Sequence, residues 1–228
     1  MISRLLTPLV DLFYPHCCDI CGTDLSSPQE KLCISCMNNL PETQFHLMDN
    51  NLVEKIFWGR CVVQHATAAY YYSPSSGMQR LIHLFKYKQR PDLAVYMGKK
   101  VGAMLLQSKW IYEIDAVVPV PMHARKQRKR GYNQAALLAE GISTIIKKPV
   151  LNNFLQKCVT TSTQTRKDRT GRWENVSNVF QAAATAKGKH VLLVDDVLTT
   201  GATTEACCHA LQQAGAHVSV CCLAYAWS

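Results

Sequence analysis

The sequence predicts an α/β fold, a mostly parallel sheet flanked by helices, with a small module appended at its amino-terminal end. Three observations carry this expectation: two β-loop-α units in the second half of the chain, helical periodicity in the middle, and two Cys-x2-Cys pairs near the start. With 228 residues, 48% of them hydrophobic, the chain can bury a full core and has room for one main domain plus the module. A boundary near residue 60 divides it into residues 1–60, an N-terminal helix with the cysteine module, and residues 61–228, the α/β domain; the polar stretch 41–51 reads as a connector.

Residues 1–15 carry Arg4 and several leucines, but Pro8 and Asp11 split the apolar run and no small-residue cleavage site follows. An amphipathic helix is expected there rather than a targeting segment. Elsewhere charge or proline interrupts every apolar stretch well short of the roughly 20 residues a membrane-spanning helix needs, so no integral membrane segment is expected. Residues 65–73 are rich in alanine and tyrosine and end at Ser-Pro-Ser-Ser-Gly, a strand followed by a turn. Met78, Leu81, Ile82 and Phe85 then recur at helical spacing, and Leu93, Met97, Val101, Leu105 and Leu106 repeat it after Pro91. From Asp115 a short apolar strand stops in prolines, a basic loop follows, and a helix is expected from about Tyr132 to Ile146. The last unit is a strand over 190–194, a small-residue loop, a helix to about Ala214 with Gly215 as its stop, and a strand over 218–225. Two such units imply parallel strands joined by right-handed crossovers.

Of the eleven cysteines, Cys18, Cys21, Cys33 and Cys36 form the two pairs, at the spacing of a closed four-thiolate structural zinc site. Cys17 adjoins the first pair but lacks the x2 spacing to Cys21. Redox chemistry is the alternative, although a single pair would suffice for it. Cys207, Cys208, Cys221 and Cys222 sit in apolar segments where cysteine acts as a small hydrophobe. The odd count argues against a disulfide framework and for a reducing, cytoplasmic setting.

Formal net charge is +9, concentrated in Arg125, Lys126, Arg128, Lys129 and Arg130 and again in Arg166, Lys167, Arg169 and Arg172. Such clusters predict an anionic partner, a diphosphate or a nucleic acid. A strand ending in Asp195 and Asp196 delivers two carboxylates to the sheet edge where open α/β folds bind ligands. Two neighbouring acceptors suit the hydroxyls of a ribose, with or without a bridging magnesium ion. Beyond them Thr199, Thr200, Gly201, Ala202 and Thr203 open a helix, where backbone N–H groups, hydroxyls and the helix dipole can cradle a phosphate. Helix capping alone is the bland alternative. A P-loop ATPase is excluded, because neither Gly98-Lys99 nor Gly188-Lys189 is followed by Ser or Thr.

The run Val191 to Thr203 resembles the signature of type I phosphoribosyltransferases. The resemblance implies a type I phosphoribosyltransferase-like sheet and magnesium-assisted binding of 5-phosphoribosyl 1-diphosphate (PRPP). It also implies a separate diphosphate loop, for which Val118-Pro119-Val120-Pro121 and the following His123, Arg125, Arg128, Arg130 and Gly131-Tyr132-Asn133-Gln134 are the candidates. Arg125, Arg128 and Arg130 would then stabilise the departing diphosphate. The basic segment 164–172 is either a lid over the diphosphate or a solvated loop.

The order of four-cysteine module, Leu81-Ile82-His83-Leu84-Phe85-Lys86-Tyr87, Val-Pro-Val-Pro, Arg-Gly-Tyr-Asn-Gln and the acidic signature is similar to the ComF family. That resemblance implies a competence protein acting in DNA uptake, in contact with single-stranded DNA and other competence proteins. Two alternatives stand beside it: an active phosphoribosyltransferase of nucleotide metabolism or salvage, and a single-stranded nucleic-acid binder using the basic loops with Tyr132 and Trp173 as stacking surfaces. Because the chain starts Met1-Ile2-Ser3, without the N-terminal cysteine of amidotransferases, glutamine-dependent amidation is not expected.

Overall fold

The structure is a computed structural model that describes residues 16–157 and 179–227. The expected N-terminal helix, the basic segment 164–172 and Trp173 lie outside the described residues.

Four strands form the main sheet: β1 (Ala66–Tyr72), β2 (Ala116–Pro119), β5 (His190–Leu198) and β6 (His217–Ala226). They run in the order β1-β6-β5-β2 and every pairing is parallel. The expected parallel sheet is therefore present. Two short strands, β3 (Leu155–Lys157) and β4 (Phe180–Ala182), pair antiparallel to one side. The central strands are buried on both faces, which explains their continuous apolar reading. Leu192 and Val194 enter one core with Leu223 and Cys221, while Val191 and Leu193 enter the other with Val218 and Cys222.

On the first face lie α3 (Gly77–Tyr87), α4 (Pro91–Leu105) and α6 (Gln134–Ile146). Met78, Leu81, Ile82 and Phe85 of α3 and Leu93, Met97, Val101 and Leu105 of α4 are buried as their spacing predicts. Leu106 falls just past α4 and is exposed. Helices α4 and α6 cross through glycines: a Cβ on Gly98 would stand 2.3 Å from the Leu138 carbonyl, and one on Gly141 2.3 Å from that of Val95. The other face holds α2 (Leu52–Phe57) and α7 (Ala202–Gln213), with Val53, Phe57, Cys207, Cys208 and Leu211 buried.

The amino-terminal module, with α1 (Ile34–Asn38), shares the first core through Cys18, Leu32 and Leu40. Arg90, at the start of α4, donates to Asp19 at 2.9 Å and to Asp92 at 2.9 and 3.0 Å, and Lys31 reaches Asp92 at 3.1 Å. Burial alone would raise Asp92, yet the hydrogen bonds from Arg90 and Lys31 hold its carboxyl at about 2.

Three local expectations need correction. Residues 41–51 are no loose connector: the Thr43 N–H donates to Ala69 O at 3.0 Å, Tyr71 N to Pro41 O at 2.8 Å, and Phe45 and His46 are buried. Polar composition concealed a segment that satisfies the open edge of β1. The basic loop is largely a helix, α5 (Ala124–Arg130), capped by His123, whose Nδ1 accepts from Arg125 N at 3.1 Å, so α6 begins at Gln134 rather than Tyr132. Finally, β5 continues to Leu198, past Val194, because β6 keeps pairing with it to Tyr225.

Candidate functional site

Strand β2 leaves its neighbour early. Its last pair with β5 is Pro119 with Val194, followed by Val120 N donating to Val194 O at 2.9 Å. Asp195 and Asp196 are thus the first β5 residues beyond that pairing, and both are half-buried at the carboxyl edge of the sheet. The Asp196 N–H donates to Asp195 Oδ1 at 2.8 Å. Burial and then the adjacent Asp196 charge push Asp195 up to about 7, against the opposing pull of that N–H and of Lys86. The ammonium of Lys86, from α3, stands 2.8 Å from Asp196 Oδ2. In the sequence Lys86 is part of the Leu81–Tyr87 run of the family resemblance, and nothing there ties it to the acidic pair.

The threonine loop follows. Gly201 caps α7 with φ +76°, and a Cβ there would meet Ile56 Cγ2 at 2.8 Å, so both conformation and space call for glycine. Arg60 holds the loop from outside: its guanidinium donates to Thr200 O at 2.8 Å and to Ile56 O at 3.2 Å and pairs with Glu205. Thr199, Thr200, Ala202 and Thr203 are exposed. No side chain caps the helix, and the first N–H groups of any helix lack intrahelical acceptors. Arg60 and Ile56 were missed because nothing in their spacing ties them to a loop 140 residues away.

Each residue of Arg-Gly-Tyr-Asn-Gln has its own task. Arg130 donates to Gln134 Oε1 at 3.0 Å and lies over the Tyr87 ring at 5.3 Å. Gly131 ends α5 in a left-handed conformation. The Tyr132 hydroxyl donates to Phe85 O at 2.5 Å, joining this segment to α3. Asn133 caps α6 through Ala135 N at 3.1 Å and donates to Val120 O at 3.0 Å, fixing the end of β2. Gln134 is fully buried.

A cavity of about 390 Å³ is lined by Lys86, Lys126, Arg130, Gln134, Asp195, Asp196 and Thr203. A larger cleft of about 890 Å³ shares Lys86 and Asp196 with it and has Tyr72, Ile82, His83 and Thr199 on its walls. The structure therefore brings the acidic pair, the threonine loop and Arg130 together. Arg125 and Arg128 are exposed on α5 and line neither cavity.

In the module, the sulfurs of Cys18, Cys21, Cys33 and Cys36 all lie within 4.8 Å of one another, a set that could hold a metal ion. Cys21 and Cys33 are 3.7 Å apart, close to the edge of about 3.8 Å of a tetrahedron with metal–sulfur bonds of about 2.3 Å. Thr23, 3.3 Å from Cys21, draws that thiol down to about 6. Cys17 points to Asp24 instead, at 3.5 Å. Among the described residues no helix is long and apolar enough to cross a membrane.

Residues 129–227 match the phosphoribosyl transferase domain family, so the sheet, its acidic edge and the threonine loop define a phosphoribosyltransferase-like domain. Over the wider chain, Competence protein F of Haemophilus influenzae is 27% identical across 209 residues, covering 84% of this chain and 88% of that protein. The DNA utilization protein YhgH of Escherichia coli is 29% identical across 211 residues, covering 90% and 88%. The glutamine PRPP amidotransferase of B. subtilis overlays on 60% of this chain and 30% of that one, with 25% identity and a TM-score of 0.43. Together the relatives and the domain match support a ComF-family, competence-type protein.

Proposed function

We propose that the chain binds PRPP, or a closely related ribose phosphate, at the carboxyl edge of β5. The observation that carries this reading is that Asp195 and Asp196 line one cavity with Thr203 of the threonine loop and with Lys86, Lys126, Arg130 and Gln134. Ribose hydroxyls would donate to the two carboxylates, and the 5-phosphate would accept from the N–H groups and hydroxyls of residues 199–203. The diphosphate would lie towards Arg130, with Arg125 and Arg128 adding charge along the same helix. Two adjacent carboxylates are hard oxygen donors that suit a magnesium ion carried in by the ligand, which would neutralise diphosphate charge when bound. In the module, the all-thiolate set of Cys18, Cys21, Cys33 and Cys36 fits zinc in a structural role, and the division near residue 60 belongs to the same proposal.

The relatives are named as a competence protein and as a DNA utilization protein, which supports a setting in competence; a role in DNA uptake in the cytoplasm, with single-stranded DNA and other competence proteins as partners, is part of the same proposal. Calorimetry tests the core of the reading: with magnesium, PRPP should bind the wild type, and Asp195→Ala with Asp196→Ala should weaken it at least about 30-fold, the loss of two hydrogen bonds to charged groups. Equal binding by the double variant would remove the site.

A second reading, transfer of the phosphoribosyl group to an acceptor, is favoured by the 890 Å³ cleft that Asp196 and Lys86 also line. Diphosphate release from PRPP in a panel of bases and nucleosides should then depend on Asp195 and Asp196. Silence across the panel with PRPP bound would leave a binding protein.

A further inference from the structure

Lys86 stands where the two cavities meet, and it also lines a third of about 260 Å³ with Lys126, Lys129 and Arg130. Its side chain and that of Asp196 retain only 19% and 15% of their exposure. A withdrawn ion pair of this kind returns little net stability, because desolvation offsets the attraction. Its position therefore calls for another explanation.

The second observation is Gln134. The residue is 0% exposed, its Oε1 accepts from Arg130, and its Nε2 has no hydrogen-bond acceptor. Leaving a buried amide N–H unmet costs roughly 1–3 kcal/mol. Gln134 lines the same 390 Å³ cavity as Lys86, Arg130 and the two aspartates, so an anionic oxygen entering there would supply the missing acceptor. The cavity is lined by both donors and acceptors. Between them a ligand carrying both a diol and a diphosphate finds a cation already in place.

We propose that Lys86 is a tethered cation that shares the role of magnesium at the acidic pair, so that a sugar diphosphate binds appreciably without divalent metal. This rests on the PRPP reading above. A lysine ammonium is a compact point charge suited to phosphate oxygens. Paired with Asp196, it can bridge that carboxylate to the incoming diphosphate, while Arg130 and the Gln134 amide meet the remaining oxygens.

Calorimetric titration of the full chain with PRPP, in EDTA and in saturating magnesium, tests this. Wild-type affinity should fall by no more than about threefold when magnesium is withheld. Lys86→Met should lose at least about tenfold in EDTA, regain most of it with magnesium, and be rescued in EDTA by Lys86→Arg. A wild type that loses tenfold or more without magnesium overturns the role of Lys86 and leaves the PRPP site standing; this comparison needs no variant, so a misfolded Lys86→Met cannot obscure it. An unchanged magnesium ratio in folded Lys86→Met overturns it equally. Absence of PRPP binding under both conditions removes the ribose-phosphate site and this inference together.

Discussion

Two acidic clusters of the molecule are held in opposite states. Where the cysteine module docks on α4, Asp92 is surrounded by Arg90 and Lys31 and its carboxyl sits at about 2. At the sheet edge, the half-buried Asp195 stands beside a second carboxylate and is pushed up to about 7, although Lys86 is near. The first cluster is satisfied by its own neighbours and stabilises the fold. The second sets two adjacent carboxylates against one lysine, which is the condition of a site completed by a ligand. The same residue type thus reports structure in one place and binding in the other.

The largest effect should come from the module. Replacing Cys18 by Ser should abolish stoichiometric metal in elemental analysis and lower the thermal midpoint by about 10 °C, since losing a bound structural metal removes several kcal/mol of folding free energy. Retained metal at full stoichiometry would break the four-cysteine assignment. Next, Gly201→Ala forces a left-handed φ on a residue whose Cβ meets Ile56, and should destabilise by roughly 2 kcal/mol in urea unfolding while weakening PRPP binding more than it alters the module.

The aspartates respond to pH with opposite signs. Asp195 has a folded value above its unfolded one, so the folded state binds the extra proton and stability falls as pH rises from about 4 to about 7. Asp195→Asn should flatten that slope and stabilise the protein at pH 7.5 by roughly 1 kcal/mol, less than an isolated buried carboxyl would give because Lys86 compensates. Asp92 has a depressed folded value, so its contribution is present above about pH 4 and is lost as pH falls towards 2. Unfolding curves across pH 2–8 read both arms.

Smallest in stability is the effect of Arg125→Ala with Arg128→Ala, which should stay within about 0.5 kcal/mol. Because Arg125 and Arg128 add charge from the exposed side of α5 without lining either cavity, the double substitution should weaken PRPP binding only about twofold. It should lower the salt slope of oligonucleotide binding by about one to two, whereas Arg130→Ala weakens PRPP. Equal loss of PRPP binding in both would mean that Arg125 and Arg128 reach the ligand.

What could be read beforehand follows from how local each feature is. The cysteine set is coded by spacing alone, and strands β5 and β6 by apolar runs, so both were visible. The threonine loop was visible through its composition. Its supports were not: Arg60 and Ile56 on one side and Lys86 on the other come from elements distant in sequence, brought together by the parallel sheet and the packing of its helices. The helical character of 124–130 was hidden by its charge, since no apolar stripe marks a helix that buries no residue. Likewise the polar stretch 41–51 read as a connector, because backbone hydrogen bonding along β1 leaves no side-chain pattern.

A crystal structure of the protein with PRPP and magnesium tests the central claim most directly. The ribose hydroxyls should lie within hydrogen-bonding distance of Asp195 and Asp196, with the 5-phosphate on residues 199–203 and the diphosphate towards Lys86, Arg130 and Gln134. PRPP bound elsewhere, with the Lys86–Asp196 pair and the Gln134 amide unengaged, would contradict it.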